Sequence, residues 1–102
     1  MVASSLVTVS PLMPTVPTVA ETPGLAGYEM DVWQGTVVRA GTPRAVIARL
    51  NREMVAVLKT PQDAARLAEL GLDPVGSTPE RFHELMKTDL AKWARVIKEA
   101  GI

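Results

Sequence analysis

The sequence predicts an α/β domain: a short β run that feeds directly into helices. Three observations carry that reading. Trp33, Thr36, Val37 and Val38 are strand formers clustered in one stretch, Asp31–Pro43. Gly41, Thr42 and Pro43 then supply a break, an N-cap residue and a residue suited to a helix start. Apolar residues recur downstream at helical spacing. Strand, glycine turn and helix are the front half of a βαβ unit, with the rest of the chain packed against it.

The elements follow in order. Residues 1–27 form an irregular lead-in, in which Leu6–Val9 favours one short strand and Pro11, Pro14 and Pro17 favour extended chain. Thr18 and Glu21 have the spacing of a capping box, which predicts a single helical turn stopped by Pro23 and Gly24. Residues 28–102 then read as strand–helix–helix–helix. The first helix should run from Pro43 to Lys59, capped by the Thr42 hydroxyl, with Ile47, Leu50, Asn51, Met54 and Leu58 on one face. A second should start at Thr60–Pro61, with Asp63 in its first turn, an apolar side of Ala64, Leu67, Ala68 and Leu70, and Gly71 as its C-cap. Leu72–Gly76 is a link or edge strand, since Pro74 cannot donate a ladder hydrogen bond. The last helix should start at Thr78–Pro79 and end at Gly101, with a core stripe of Phe82, Leu85, Met86, Leu90, Trp93, Val96 and Ile97. The Thr–Pro pair at each of the three helix starts is capping chemistry used three times, not an internal repeat, because the helices differ in length and pattern.

Composition narrows the function classes. The chain has 102 residues, room for one small domain. Eleven basic and eleven acidic residues balance, so no net field draws it to nucleic acid or an anionic membrane. There is no cysteine, which removes disulfides and thiolate metal sites, and His83 is the single histidine. No apolar run reaches the ~18–20 residues of a membrane span. Met1–Ala20 is apolar but has no Lys or Arg and is broken by prolines, which argues against a cleaved signal peptide.

The candidate motifs mostly have plain explanations. Arg44, Arg49, Arg52 and Lys59 on the first helix fall short of a DNA-recognition helix in a neutral chain. Glu29 and Asp31 share a strand face, as a carboxylate pair would, but a solvated strand end is the preferred account of them. Gly35 and Gly41 fit neither G-x-G-x-x-G nor a Walker loop. Trp33 stands beside a glycine at the sort of position where clefts of α/β sheets lie, so it reads as core or as cleft wall. No nucleophile–base pair or metal cluster can be assembled, so these residues alone indicate neither an enzyme nor a cofactor.

An ordered series of short stretches says more. Ser10–Pro14, Val16–Glu21, Gly27–Glu29, Trp33–Gly35, Arg39–Pro43, Ile47–Asn51, Leu70–Gly71, Pro74–Ser77, Pro79–Phe82 and Trp93–Gly101 resemble the C-terminal part of the Bug/TctC family, the tripartite tricarboxylate transporter substrate-binding proteins. The chain departs from the family pattern at Glu21–Tyr28, which carries an extra residue, and at Thr8–Ser10, which is shortened. The resemblance implies part of a lobe of a type II periplasmic-binding-protein fold, with one or two strands and three helices. It implies hinge closure over a carboxylate-bearing metabolite in a cleft between two lobes. It also implies delivery of that ligand to a membrane permease. Tyr28, Trp33, Gln34 and Gly35 are the ligand-side candidates it suggests, with no cofactor and no nucleic-acid partner. Family members are longer, so capture by this piece alone should be incomplete, and apolar faces at Val32–Val38 and on the last helix should be left open to self-association. The resemblance places such proteins in the periplasm; a chain without a leader would stay in the cytoplasm.

Overall fold

The computed structural model describes residues 13–102, and its regular elements are a 3-10 turn and three helices: Val19–Glu21, then α1 (Arg44–Leu58), α2 (Pro61–Glu69) and α3 (Pro79–Ala100). The Leu6–Val9 patch and the start of the proline-rich run lie outside the described residues. The described chain divides into two units. One holds the residues up to Gln34 together with Ala64–Asp73, and the other holds Gly35–Asp63 and Pro74–Ile102.

In the first unit the order is local. The Glu21 carboxylate accepts from both the backbone N–H and the hydroxyl of Thr18, the latter at 3.1 Å. That closes the turn the Thr–x–x–Glu spacing predicts, and Thr18 is buried at its start. Two further turns follow: Leu25 N–H donates to the Thr22 carbonyl and Tyr28 N–H to the Leu25 carbonyl. Gly24 and Gly27, at φ +85° and +82°, are the residues that allow them.

Residues 28–39 form no regular secondary structure, and the expected strand over Asp31–Val38 is not made. Strand propensity is the fit of a side chain to a pleated, half-covered surface, and a strand exists only when a neighbour completes its ladder. No described segment supplies that neighbour. Val32, Val37 and Val38 accordingly stand exposed, Val32 at 81%. The α/β expectation is therefore met only in its helices.

The second unit is organised by α1 against α3. α1 begins one residue later than the sequence suggests. Pro43, with ψ 140°, stands at the N-cap position, and no side chain caps the helix. The Thr42 hydroxyl is instead turned back, donating to the Arg39 carbonyl at 2.7 Å, while Thr42 N–H donates to the same oxygen. Gly41, at φ +85°, makes that tight turn possible and so withdraws Thr42 from the helix. The other two Thr–Pro starts behave as their chemistry predicts. Thr60 Oγ1 lies 3.4 Å from the Asp63 N–H and donates to the Asp63 carboxylate at 2.7 Å. Thr78 Oγ1 accepts from Arg81 N–H at 3.2 Å, with Pro79 opening α3. Both C-termini also close as expected. Leu72 N–H reaches back to the Leu67 carbonyl and Ile102 N–H to that of Ile97, around Gly71 and Gly101 in the left-handed conformation.

The covered side of α1 is Ile47, Asn51, Val55 and Leu58, all half-buried. Leu50 and Met54, expected on that face, are exposed together with Val46 and Val57. On α3 the covered positions are Pro79, Phe82, Met86, Asp89 and Lys92. Leu85, Leu90, Val96 and Ile97 are exposed, and Trp93 is not core: it is 37% exposed, with the Lys92 ammonium 5.5 Å from its ring centre. The periodicity marks apolar stripes correctly, but a stripe is covered only as far as an opposing surface reaches. No described apolar residue falls in the buried class.

Between the two helices a polar bond does what packing alone does not. Asn51 Nδ2 donates to the Ser77 carbonyl at 2.9 Å, pinning the last residue before the α3 cap onto the middle of α1. Gly76 allows this approach. It is at φ +59°, and a Cβ there would stand 3.3 Å from a Val55 methyl. The ion pairs Arg52–Glu53 and Glu84–Lys87 are exposed and add little.

Four substitutions have expected outcomes in denaturant melts. Thr78→Ala should cost about 1 kcal/mol as a lost cap, whereas Thr42→Ala, at an exposed turn, should stay within about 0.5 kcal/mol. Gly76→Ala should cost roughly 1–3 kcal/mol through the strained left-handed backbone. Trp93→Ala should cost about 1 kcal/mol, well under the ~3–5 kcal/mol of a core tryptophan; a loss in that core range would show a buried ring.

Candidate functional site

Tyr28, Trp33 and Gln34 lie in the first unit and Gly35 opens the second. All four are exposed, and they stand in the segment between the Leu25–Tyr28 turn and the Arg39–Thr42 turn. Tyr28 is placed by its backbone, whose N–H closes the turn at Gly27. The rings of Tyr28 and Trp33 are 40% and 38% exposed. The core reading of Trp33 is thereby set aside. Asp31 is engaged locally, its carboxylate accepting from Val32 N–H at 2.8 Å.

The residue the sequence reading undervalued here is Phe82. It comes from the first turn of α3 and is half-buried, and the edge of its ring meets the backbone of Gly35. A glycine set among strand formers is a signal for close backbone approach, but it does not name the approaching group. His83, beside Phe82, is exposed. A shallow apolar groove elsewhere in the second unit runs along α1, lined by Ala45, Val46, Arg49, Leu50 and Glu53, and includes none of the four candidates. Among the described residues no group of three or more His, Asp or Glu is placed to hold a metal ion, and no helix is long and apolar enough to cross a membrane.

In the first unit the exposed rings of Tyr28 and Trp33 offer faces and Gln34 offers a side-chain amide; in the second, Gly35 has only its backbone groups to offer. The sequence profile described as "Tripartite tricarboxylate transporter family receptor" matches residues 7–102. This chain belongs to that family. Among curated relatives it is 38% identical to the UPF0065 protein in the tcbD-tcbE intergenic region of Pseudomonas sp. (strain P51), over 87% of this chain and 26% of the relative. It is 33% identical to a UPF0065 protein of Agrobacterium vitis from the TAR-I ttuE-ttuC' intergenic region, over 88% and 27%. It is 30% identical to Protein BugT of Bordetella pertussis, over 86% and 27%. The chain thus spans about a quarter of the length of these relatives. No solved structure matches it.

The exposure of Trp33 is open to a direct check. In a Trp93→Phe background, acrylamide should quench the remaining indole readily. Quenching as weak as that of a core tryptophan would return Trp33 to a buried position.

Proposed function

We propose that this chain is the C-terminal part of a receptor that captures a carboxylate-bearing metabolite in the periplasm for a tripartite transporter, and that it carries no catalytic activity of its own. The observation that carries this reading is the family match over residues 7–102. The exposed Tyr28, Trp33 and Gln34 of the first unit support it, since exposed rings and a side-chain amide can line a ligand cleft. In this reading Tyr28 and Trp33 bound the ligand's apolar body, Gln34 offers its amide, and Gly35 offers its backbone. A carboxylate needs N–H donors, and donors of this kind bind it without fixing a charged partner. The membrane permease is the partner to which the closed receptor presents its ligand. With about a quarter of the relatives' length here, the opposite wall is expected from the further length those relatives have.

A second reading is self-association without ligand. It is favoured by exposed apolar side chains, with Val32 at 81%, Val37 at 73% and Leu90 at 74% exposure. Such surfaces recruit a partner when they are contiguous.

A melt of the chain with acetate, succinate and citrate separates the two. A ligand that binds only the folded state stabilises it by RT ln(1 + [L]/Kd), about 2.7 kcal/mol at a hundredfold excess over Kd. The receptor reading predicts an upward shift with at least one of the three at high ligand concentration, since a single cleft wall binds weakly. Unshifted melts, together with a sedimentation mass above that of one chain, would favour self-association.

A further inference from the structure

Six of the seven glycines have positive φ, so their backbone conformation alone explains them; Gly35 does not. Its reason is space. A Cβ built on Gly35 would collide with Phe82 Cζ and would stand 2.6 Å from Cε2 and 2.8 Å from Cε1. The ring therefore occupies the place where any other residue would carry its side chain.

That ring is held at its base. Phe82 N–H donates to the Thr78 carbonyl at 3.0 Å, within the helix start fixed by the Thr78 hydroxyl and Pro79. The preceding carbonyl, of Ser77, is tied to Asn51 on α1. A continuous line of contacts thus runs from the middle of α1 through the α3 cap to the backbone of Gly35, all within the second unit.

We propose that Phe82 is a positioning residue: its ring sets where Gly35 presents its backbone N–H and carbonyl, the only groups a glycine can offer a ligand. The ligand it would serve is the carboxylate of the receptor reading, on which this inference rests. A donor fixed before binding loses little freedom on binding, which is how a residue that never touches the ligand can raise affinity.

Citrate is the probe, with affinity followed by calorimetry and the backbone amide at position 35 followed by NMR. The proteins are the wild-type chain, Phe82→Ala, Gly35→Ala and the double variant. Phe82→Ala should shift the position-35 amide signal and weaken citrate about fivefold, the worth of one misplaced hydrogen bond. Gly35→Ala should weaken it more, because the methyl collides with the ring. The double variant should recover part of the Gly35→Ala loss, since removing the ring makes room for the methyl; coupling of this kind is the mark of residues in contact. Phe82→Leu, shorter in reach but still apolar, replaces Phe82→Ala if α3 does not fold without a large residue there. An unmoved position-35 amide in the Phe82 variant, or strictly additive losses in the double variant, overturns the proposal. A wild-type chain that binds no citrate while the Phe82 variant still shifts the amide overturns the choice of probe ligand and leaves the hold of Phe82 on Gly35 standing.

Discussion

The second unit depends on the bond from Asn51 on α1 to the Ser77 carbonyl. It is a single hydrogen bond, with a net worth of about 1 kcal/mol, and it cannot by itself hold two helices together. Its value is positional. It fixes the end of the loop from which α3 starts, and the α3 cap then fixes Phe82. Apolar contact does the remaining work, and that contact is partial: Ile47, Val55, Leu58 and Met86 are half-covered, and no described apolar side chain is buried. With so little apolar area withdrawn from water, caps and turns carry an unusual share of the order.

This balance explains which parts of the fold could be read from the sequence. Helix ends were legible because their chemistry is local: Thr60–Pro61, Thr78–Pro79, Gly71 and Gly101 each act through residues within a turn of themselves. The Thr18–Glu21 turn was legible for the same reason. Thr42 was misread because the turn at Gly41 holds it one residue outside the helix, where Pro43 takes the N-cap position. The apolar stripes on α1 and α3 were visible as stripes. Which half of each would be covered was not, because that depends on surfaces opposite them. Leu50, Met54 and Trp93 were misplaced on that account. The Val32–Val38 run failed as a strand for the same cause, in a sharper form, since a strand without a neighbour has no ladder at all.

The candidate site divides along the same line. Its membership in a receptor family was readable as an ordered series of short stretches, and the match over residues 7–102 bears that out. The positions of Tyr28, Trp33, Gln34 and Gly35 came from that resemblance, not from any motif with chemistry of its own. The contact between Phe82 and Gly35 was not read from the sequence: a glycine among strand formers is compatible with close approach, but its partner is remote in sequence and no local pattern connects them. Asn51 shows the converse. It sat in an apolar face by spacing, and its polar role appears only with Ser77 in place.

Among the described residues, order resides in the helices, while residues 32–38 hold strand-forming side chains without a ladder. Amide hydrogen exchange along the whole chain measures this residue by residue, because exchange reports the local opening free energy of each hydrogen bond. Slow exchange is expected in the interiors of α1 and α3, and exchange near the unprotected rate from Val32 to Val38. Protection of Val32–Val38 equal to that of α3 would contradict it, since it would require a paired strand where the structure has none.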